Sequence, residues 1–233
     1  MIKDMEFDLY LIRHGQSETN VNPDQMGQSP YVPLTKLGKR QAELLGERIK
    51  KEKLQFDAVF SSPYKRAYDT AAIAVQQGIL VEPRLREYDA GDWTGVSRKE
   101  TITVKHQLTM SALNHNFLPP NGESLSMVER RASEWLEYCI LYNAEMQKAS
   151  EEAQANGRVL TIAAFSHGMT IKTLLHYVMG FDKNFTWKVS ISNTSISQLH
   201  FGKNGWGLGT INDFGHLLGE NFDIYSPEVT NGS

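Results

Sequence analysis

Short apolar runs that stop abruptly at polar residues recur along this chain, and most are followed by a stretch with helical spacing. Asp8-Leu9-Tyr10-Leu11-Ile12 stops at Arg13-His14-Gly15, residues 56–60 stop at Ser61-Ser62-Pro63, and residues 159–165 run into Ser166-His167-Gly168. Uninterrupted apolar runs of this length fit strands covered on both faces. Thr35 is placed to cap a helix beginning near Lys36, with Leu34, Leu37, Leu45 and Ile49 on one stripe. Tyr68, Ala71, Ala72 and Val75 mark a second helix ended by Gly78, and Ile171, Leu174, Leu175 and Val178 mark another stopped at Gly180. Leu80-Val81-Glu82 reads as a short strand, and residues 195–201 and 206–212 as two more joined by a turn over 202–205. This alternation predicts an α/β domain with a largely parallel sheet.

One long interruption breaks the alternation. Residues 96–150 are mostly helical in pattern, apart from Pro119-Pro120-Asn121-Gly122, and Val128, Ala132, Trp135, Leu136, Cys139 and Ile140 form a strong stripe. Residues 148–157 read as the solvated end of the same helix. The chain has 233 residues, long for one ordinary domain and short for two, so a single domain over 1–233 with a helical insert at about 96–150 is expected. Such an insert would cover the end of the sheet where ligands bind, beyond the carboxyl ends of the strands.

Composition excludes several classes. A hydrophobic share of 40% argues against wholesale disorder. The net charge of −3 gives no general grip on nucleic acid or an anionic membrane. The single cysteine, Cys139, allows no internal disulfide and no CxxC zinc pair, and its apolar surroundings suggest a small core residue. Neither a signal peptide nor a bilayer-length apolar run is seen, so a soluble cytoplasmic protein is expected.

In a parallel sheet the polar strand ends gather at one edge. His14, His167, Arg13 and Arg66 would meet there with several helix N-termini, which makes an anion site containing a nucleophile. Neutral imidazole attacks phosphorus, nearby cations keep it unprotonated, and guanidinium groups hold the oxygens on which charge develops. The departing oxygen needs a proton, for which Glu87 is the best carboxyl. Asp89 and Asp92 are its rivals on spacing alone.

Five ordered pieces carry a resemblance. They are Arg13-His14-Gly15 with Asn20; Pro33-Leu34-Thr35 with Gly38 and Gln41-Ala42; Ser61-Ser62-Pro63 with Arg66-Ala67 and Thr70; Glu87 with Gly91, Trp93 and Gly95; and Ser166-His167-Gly168. The set, which spans nearly the whole chain, resembles the main branch of the histidine phosphatase superfamily, the phosphoglycerate mutase-like family. The resemblance and the element order together predict a three-layer α/β/α sandwich with a mostly parallel central sheet. The resemblance implies that His14 is the phosphorylated histidine, that Arg13 and Arg66 hold the phosphate with Asn20 lining its pocket, that His167 contacts the transferring group, and that Glu87 gives the proton. Gly15 would leave room for backbone to fix the His14 tautomer, and Gln28, Ser29 and Tyr64 are weaker pocket expectations. Tyr64 and Thr94 depart from the residues common in the family at those places, which leaves the substrate open.

The expected activity is hydrolysis of phosphate monoesters through a phosphohistidine, without metal or cofactor, on a small phosphorylated substrate. The alternative is a phosphoglycerate mutase-type phosphotransferase. The region between Gly95 and Gly122 has Arg98, Lys99 and Lys105 but no dense arginine-tyrosine cluster, and the resemblance then favours hydrolysis, since the family's mutases carry additional basic residues there to grip a second anion. His106, His115, His176, His200 and His216 show no metal-ligand spacing and read as ordinary core or surface residues. Lys65, Arg130-Arg131 and Lys50-Lys51 with Lys53 read as solvated charges.

Overall fold

The computed structural model of the chain describes residues 5–21, 25, 27, 29–97, 99 and 102–220. Six strands form one sheet: β1 (Phe7–Arg13), β2 (Ala58–Ser61), β3 (Leu80–Val81), β4 (Leu160–Ser166), β5 (Ile196–Gly202) and β6 (Gly205–Asp213). Their spatial order is β3-β2-β4-β1-β5-β6. The first four run parallel, and β5 and β6 add an antiparallel edge. The helices are α1 (Lys36–Lys51), α2 (Lys65–Ala74), α3 (Val104–Leu113), α4 (Leu125–Trp135), α5 (Ala144–Ala155), α6 (Gly168–Met179) and α7 (Phe185–Lys188).

Side-chain alternation along the central strands produces three layers. Phe7, Leu9 and Leu11 of β1, with Leu160, Ile162 and Ala164 of β4, pack into a core with Ala132, Trp135, Ala153, Ile171 and Leu175. Tyr10 and Ile12, with Ala163 and Phe165, face the other way onto Leu45, Ile49, Ala71 and Ala74. Thus α4, α5 and α6 cover one face of the sheet and α1 and α2 the other. This is the expected α/β sandwich, and β1 and β4 at its centre are covered on both sides.

The register between these two strands places the site. Arg13 pairs with Ser166, so His14 and His167 leave adjacent strands at the same level. The His14 amide continues the ladder to the Ser166 carbonyl at 3.0 Å.

α1 begins as expected: the Thr35 hydroxyl accepts from the Gly38 amide at 2.9 Å. Its first turn lies against the loop after β1, and only glycine fits there. A Cβ on Gly38 would stand 2.0 Å from the Gln16 carbonyl oxygen, and one on Gly15 would stand 2.5 Å from the Gly38 carbonyl oxygen. Both obstacles are backbone, so no rotamer change relieves them. Gly38→Ala is expected to cost about 2 kcal/mol of stability, read from urea unfolding, by pushing the His14 loop away from α1.

Several expectations shift. α2 ends at Ala74, before Gly78. Its buried face is Arg66, Ala67, Thr70, Ala71 and Ala74, while Tyr68 and Ala72 are exposed. The face is offset from the apolar stripe because two of its polar residues point into the site. β3 is only two exposed residues. The insert helix divides: α4 passes into a π-helical stretch, Leu136–Leu141, and α5 restarts behind the Asn143 cap, whose side chain accepts from the amides of Glu145 and Met146. Residues 148–157 therefore belong to a separate helix and its end. Cys139 is half-buried at the margin of the core, beside Arg84 and Glu82. The helices α4 and α5 join the flanking layer, while the stretch after α3 reaches the loop bearing Glu87, where Phe117 stacks on Trp93. No helix among the described residues is long and apolar enough to cross a membrane.

Candidate active site

His14 sits in the loop after β1 and is only 1% exposed. Its Nδ1 lies 2.6 Å from the Gly15 carbonyl oxygen, so Nδ1 carries the proton and the lone pair stays on Nε2. Arg66 Nε donates to that Nε2 at a long 3.3 Å. The His14 and His167 rings are 5.1 Å apart between centroids. His167 Nε2 lies 2.8 Å from the Ser62 hydroxyl at the end of β2. The ends of β1, β2 and β4 thus build one pocket, as the order of the sheet requires.

Two guanidinium groups flank the pair. Arg13 is buried and donates from Nη1 to the Ile191 carbonyl. Arg66 is fully buried, and its Nη1 donates to the Ser29 carbonyl at 3.0 Å. Its guanidinium carbon lies 5.1 Å from the centre of the Tyr64 ring, and that ring meets His167 edge-on at 5.3 Å. Burial lowers both arginines to about 10, against the attraction of Glu87, so both remain cationic at neutral pH. Arg66 Nη2 and His167 Nδ1 are buried without a hydrogen-bond partner among the described residues.

Burial, then the neighbouring Arg66 and other charges, hold both imidazoles well below the usual histidine range. They are neutral at pH 7. In the unfolded chain each takes a proton near pH 6.5, whereas the folded site refuses it. Stability therefore falls as pH drops below about 6.5, by about 1 kcal/mol per pH unit for each ring. Urea unfolding at pH 7.0 and 5.5 in buffers free of phosphate is expected to show this loss. An unchanged midpoint would mean that the rings titrate normally.

Glu87 is half-buried in the loop after β3, beside the first turn of α6. Its carboxylate accepts from the Tyr88 amide at 2.9 Å and from the Thr170 hydroxyl at 3.4 Å. The rivals are engaged elsewhere in the loop: Asp89 accepts from the Gly91 amide and Asp92 from the Asn121 side chain. Asn20 is buried, but its Oδ1 is taken by the Ser17 amide and hydroxyl and by Asn193. Asn20 thus braces the His14 loop through Asn193, whose Nδ2 donates to the His14 carbonyl. Gly15 contributes its carbonyl to the His14 tautomer, and the need for glycine there comes from α1. Ser29 takes part through its backbone. Gln28 lies outside the described residues.

Four contributors were not read as site residues from the sequence. Ser62 fixes His167, and Thr170 bonds Glu87. Lys172 is buried, lowered to about 8 by burial and by Arg13. Arg131, expected to be solvated, is buried and makes a two-point contact with Glu123 at 3.0 Å. It also donates to the carbonyls of Arg84, Arg86 and Glu87, so it shapes the loop that presents Glu87. Position 131 lies on the buried stripe with Val128, Ala132 and Trp135, and that placement was the available signal.

The family model of the histidine phosphatase superfamily, branch 1, matches residues 9–214. A relative from Proteus mirabilis, described as a probable phosphoglycerate mutase GpmB, is 30% identical over 95% of this chain and 98% of its own length. A solved mutant of phosphoserine phosphatase from Entamoeba histolytica, in complex with phosphoserine, is 25% identical with a TM-score of 0.72, covering 91% of this chain and all of that one. A mycobacterial glucosyl-3-phosphoglycerate phosphatase solved with VO3 is 27% identical with a TM-score of 0.69, covering 88% of this chain and 98% of that one.

Proposed function

Given that the chain belongs to the histidine phosphatase superfamily, branch 1, we propose that it hydrolyses phosphate monoesters through a phosphohistidine on His14. The observation that carries this reading is the His14 ring itself: neutral, with Nδ1 locked on the Gly15 carbonyl and Nε2 bearing its lone pair among cations. Nε2 attacks phosphorus in line, and the bond from phosphorus to the ester oxygen breaks. Arg13, Arg66 and His167 hold the equatorial oxygens as charge moves onto them. The partnerless Arg66 Nη2 and His167 Nδ1 supply polar atoms suited to an anion. Glu87 gives its proton to the departing oxygen, then takes one from the water that attacks the phosphohistidine. The two fixed guanidinium groups supply the charge that a metal ion would otherwise supply, so activity is expected to persist in EDTA.

The neighbours with phosphoserine and with VO3 support a small phosphorylated substrate. The relative described as a probable phosphoglycerate mutase supports the rival reading, in which the phosphoryl group returns to a sugar acid. A panel of phosphate monoesters assayed for released phosphate identifies the substrate. Incubation with 3-phosphoglycerate and its bisphosphate primer separates the two readings. Hydrolysis predicts free phosphate, and efficient isomer formation with little phosphate would replace it with the mutase.

A further inference from the structure

Among the described residues, one cluster of metal-ligating side chains lies apart from the phosphate pocket. His115 follows α3, Glu129 lies in the middle of α4 and His176 lies near the end of α6. One ligand atom from each stands within 4.8 Å of the other two. The His115 and His176 rings are 5.0 Å apart between centroids, and His176 Nδ1 meets a Glu129 carboxylate oxygen at 2.5 Å. His176 is more than two helical turns along α6 from His167, so the cluster shares no side chain with the phosphate site.

We propose that His115, Glu129 and His176 form a second site, which binds a zinc-class divalent cation and ties the segment after α3 to α4 and α6. Two imidazoles and one carboxylate are a donor set suited to such an ion, with a fourth position left for water or the Thr186 hydroxyl. That hydroxyl lies 2.9 Å from His115 Nε2. His115 is 1% exposed, while Glu129 and His176 keep 23% and 14% of their side chains open, so an ion has a way in. A cavity of about 270 Å³ lined by Met110, Ser111, Asn114, Asn184 and Trp187 includes Asn114, the chain neighbour of His115. Lys183 opposes the ion by its charge, but at His115 the attraction of the Glu129 carboxylate is the larger of the two.

Ligation would also fix the stretch carrying Phe117, which stacks on Trp93 beside the Glu87 loop. The role is structural, with no step of phosphoryl transfer passing through the ion.

The test uses untagged full-length protein stripped with a chelator, then titrated with Zn2+ by calorimetry in buffer free of phosphate. One site per chain is expected, and saturation should raise Tm by several degrees. Glu129→Gln keeps an oxygen to accept from His176 while removing the charge. Both Glu129→Gln and His176→Ala should weaken Zn2+ at least about 100-fold, since even partners outside the ligand set cost 10- to 100-fold. His14→Ala should bind Zn2+ as the unaltered protein does. Co2+ in place of Zn2+ should give visible absorption that disappears in Glu129→Gln. Absence of a stoichiometric site, equal binding by Glu129→Gln, or loss of binding in His14→Ala would overturn the proposal. The first two outcomes would leave the cluster a hydrogen-bonded network, and the third would put the ion in the phosphate pocket.

Discussion

Replacing His14 with alanine is expected to lower turnover by about 10⁵-fold and to abolish acid-labile phosphate on the protein, since the reaction loses its nucleophile. The loss would be specific to the side chain. The His14 backbone is held from three directions, its amide on Ser166 and its carbonyl on the Thr194 amide and the Asn193 side chain. None of these bonds involves the imidazole, so the loop keeps its course in the variant. Single-turnover quenching with a radiolabelled substrate from the panel reads the adduct, and denaturant unfolding reads the fold. A folded His14→Ala protein that still accumulates the adduct would assign the nucleophile elsewhere, with His167 the next imidazole in the pocket.

Arg131→Met is expected to destabilise the protein by about 3–5 kcal/mol and to lower turnover with it. The substitution keeps the length of the side chain but leaves the Glu123 carboxylate buried beside Arg86 alone, and breaking one partner of a buried pair costs in this range. Three loop carbonyls, of Arg84, Arg86 and Glu87, lose their donor at the same time. Unlike a purely structural lesion, the change acts on the loop that carries Glu87. The kcat for a substrate with a poor leaving group should therefore fall more than for one whose alcohol leaves unaided. Adding Glu123→Gln should not restore the loop geometry, because the carbonyls of Arg84, Arg86 and Glu87 still lack their donor. Equal loss of kcat for both kinds of substrate would limit Arg131 to a role in folding.

The chemistry-bearing strand ends were legible because each one breaks an apolar run. Arg13-His14-Gly15 and Ser166-His167-Gly168 interrupt strands that are buried on both faces, and a polar residue there has no use in the core. Arg66 was legible through the motif before it, although the apolar stripe misassigned the buried face of its helix. That face turns Arg66 and Thr70 inward, so hydrophobic periodicity pointed past it. Glu87 could not be told from Asp89 and Asp92 by spacing. Their difference lies in which amides and hydroxyls each one meets, and those come from other parts of the chain. Arg131 was misread because a charge on a helix is usually solvated, yet its period placed it among Val128, Ala132 and Trp135. His115, Glu129 and His176 carry no spacing signal at all. They meet only because α4, α6 and the segment after α3 converge in the flanking layer.

The in-register pairing of Arg13 with Ser166 has a design consequence. The separation of the two imidazoles is inherited from neighbouring rungs of one ladder, while the rim around them is assembled from long excursions of chain. The spacing of the imidazoles is therefore fixed by the sheet, whereas the position of Glu87 depends on a loop braced by Arg131 and by the stretch that carries Phe117.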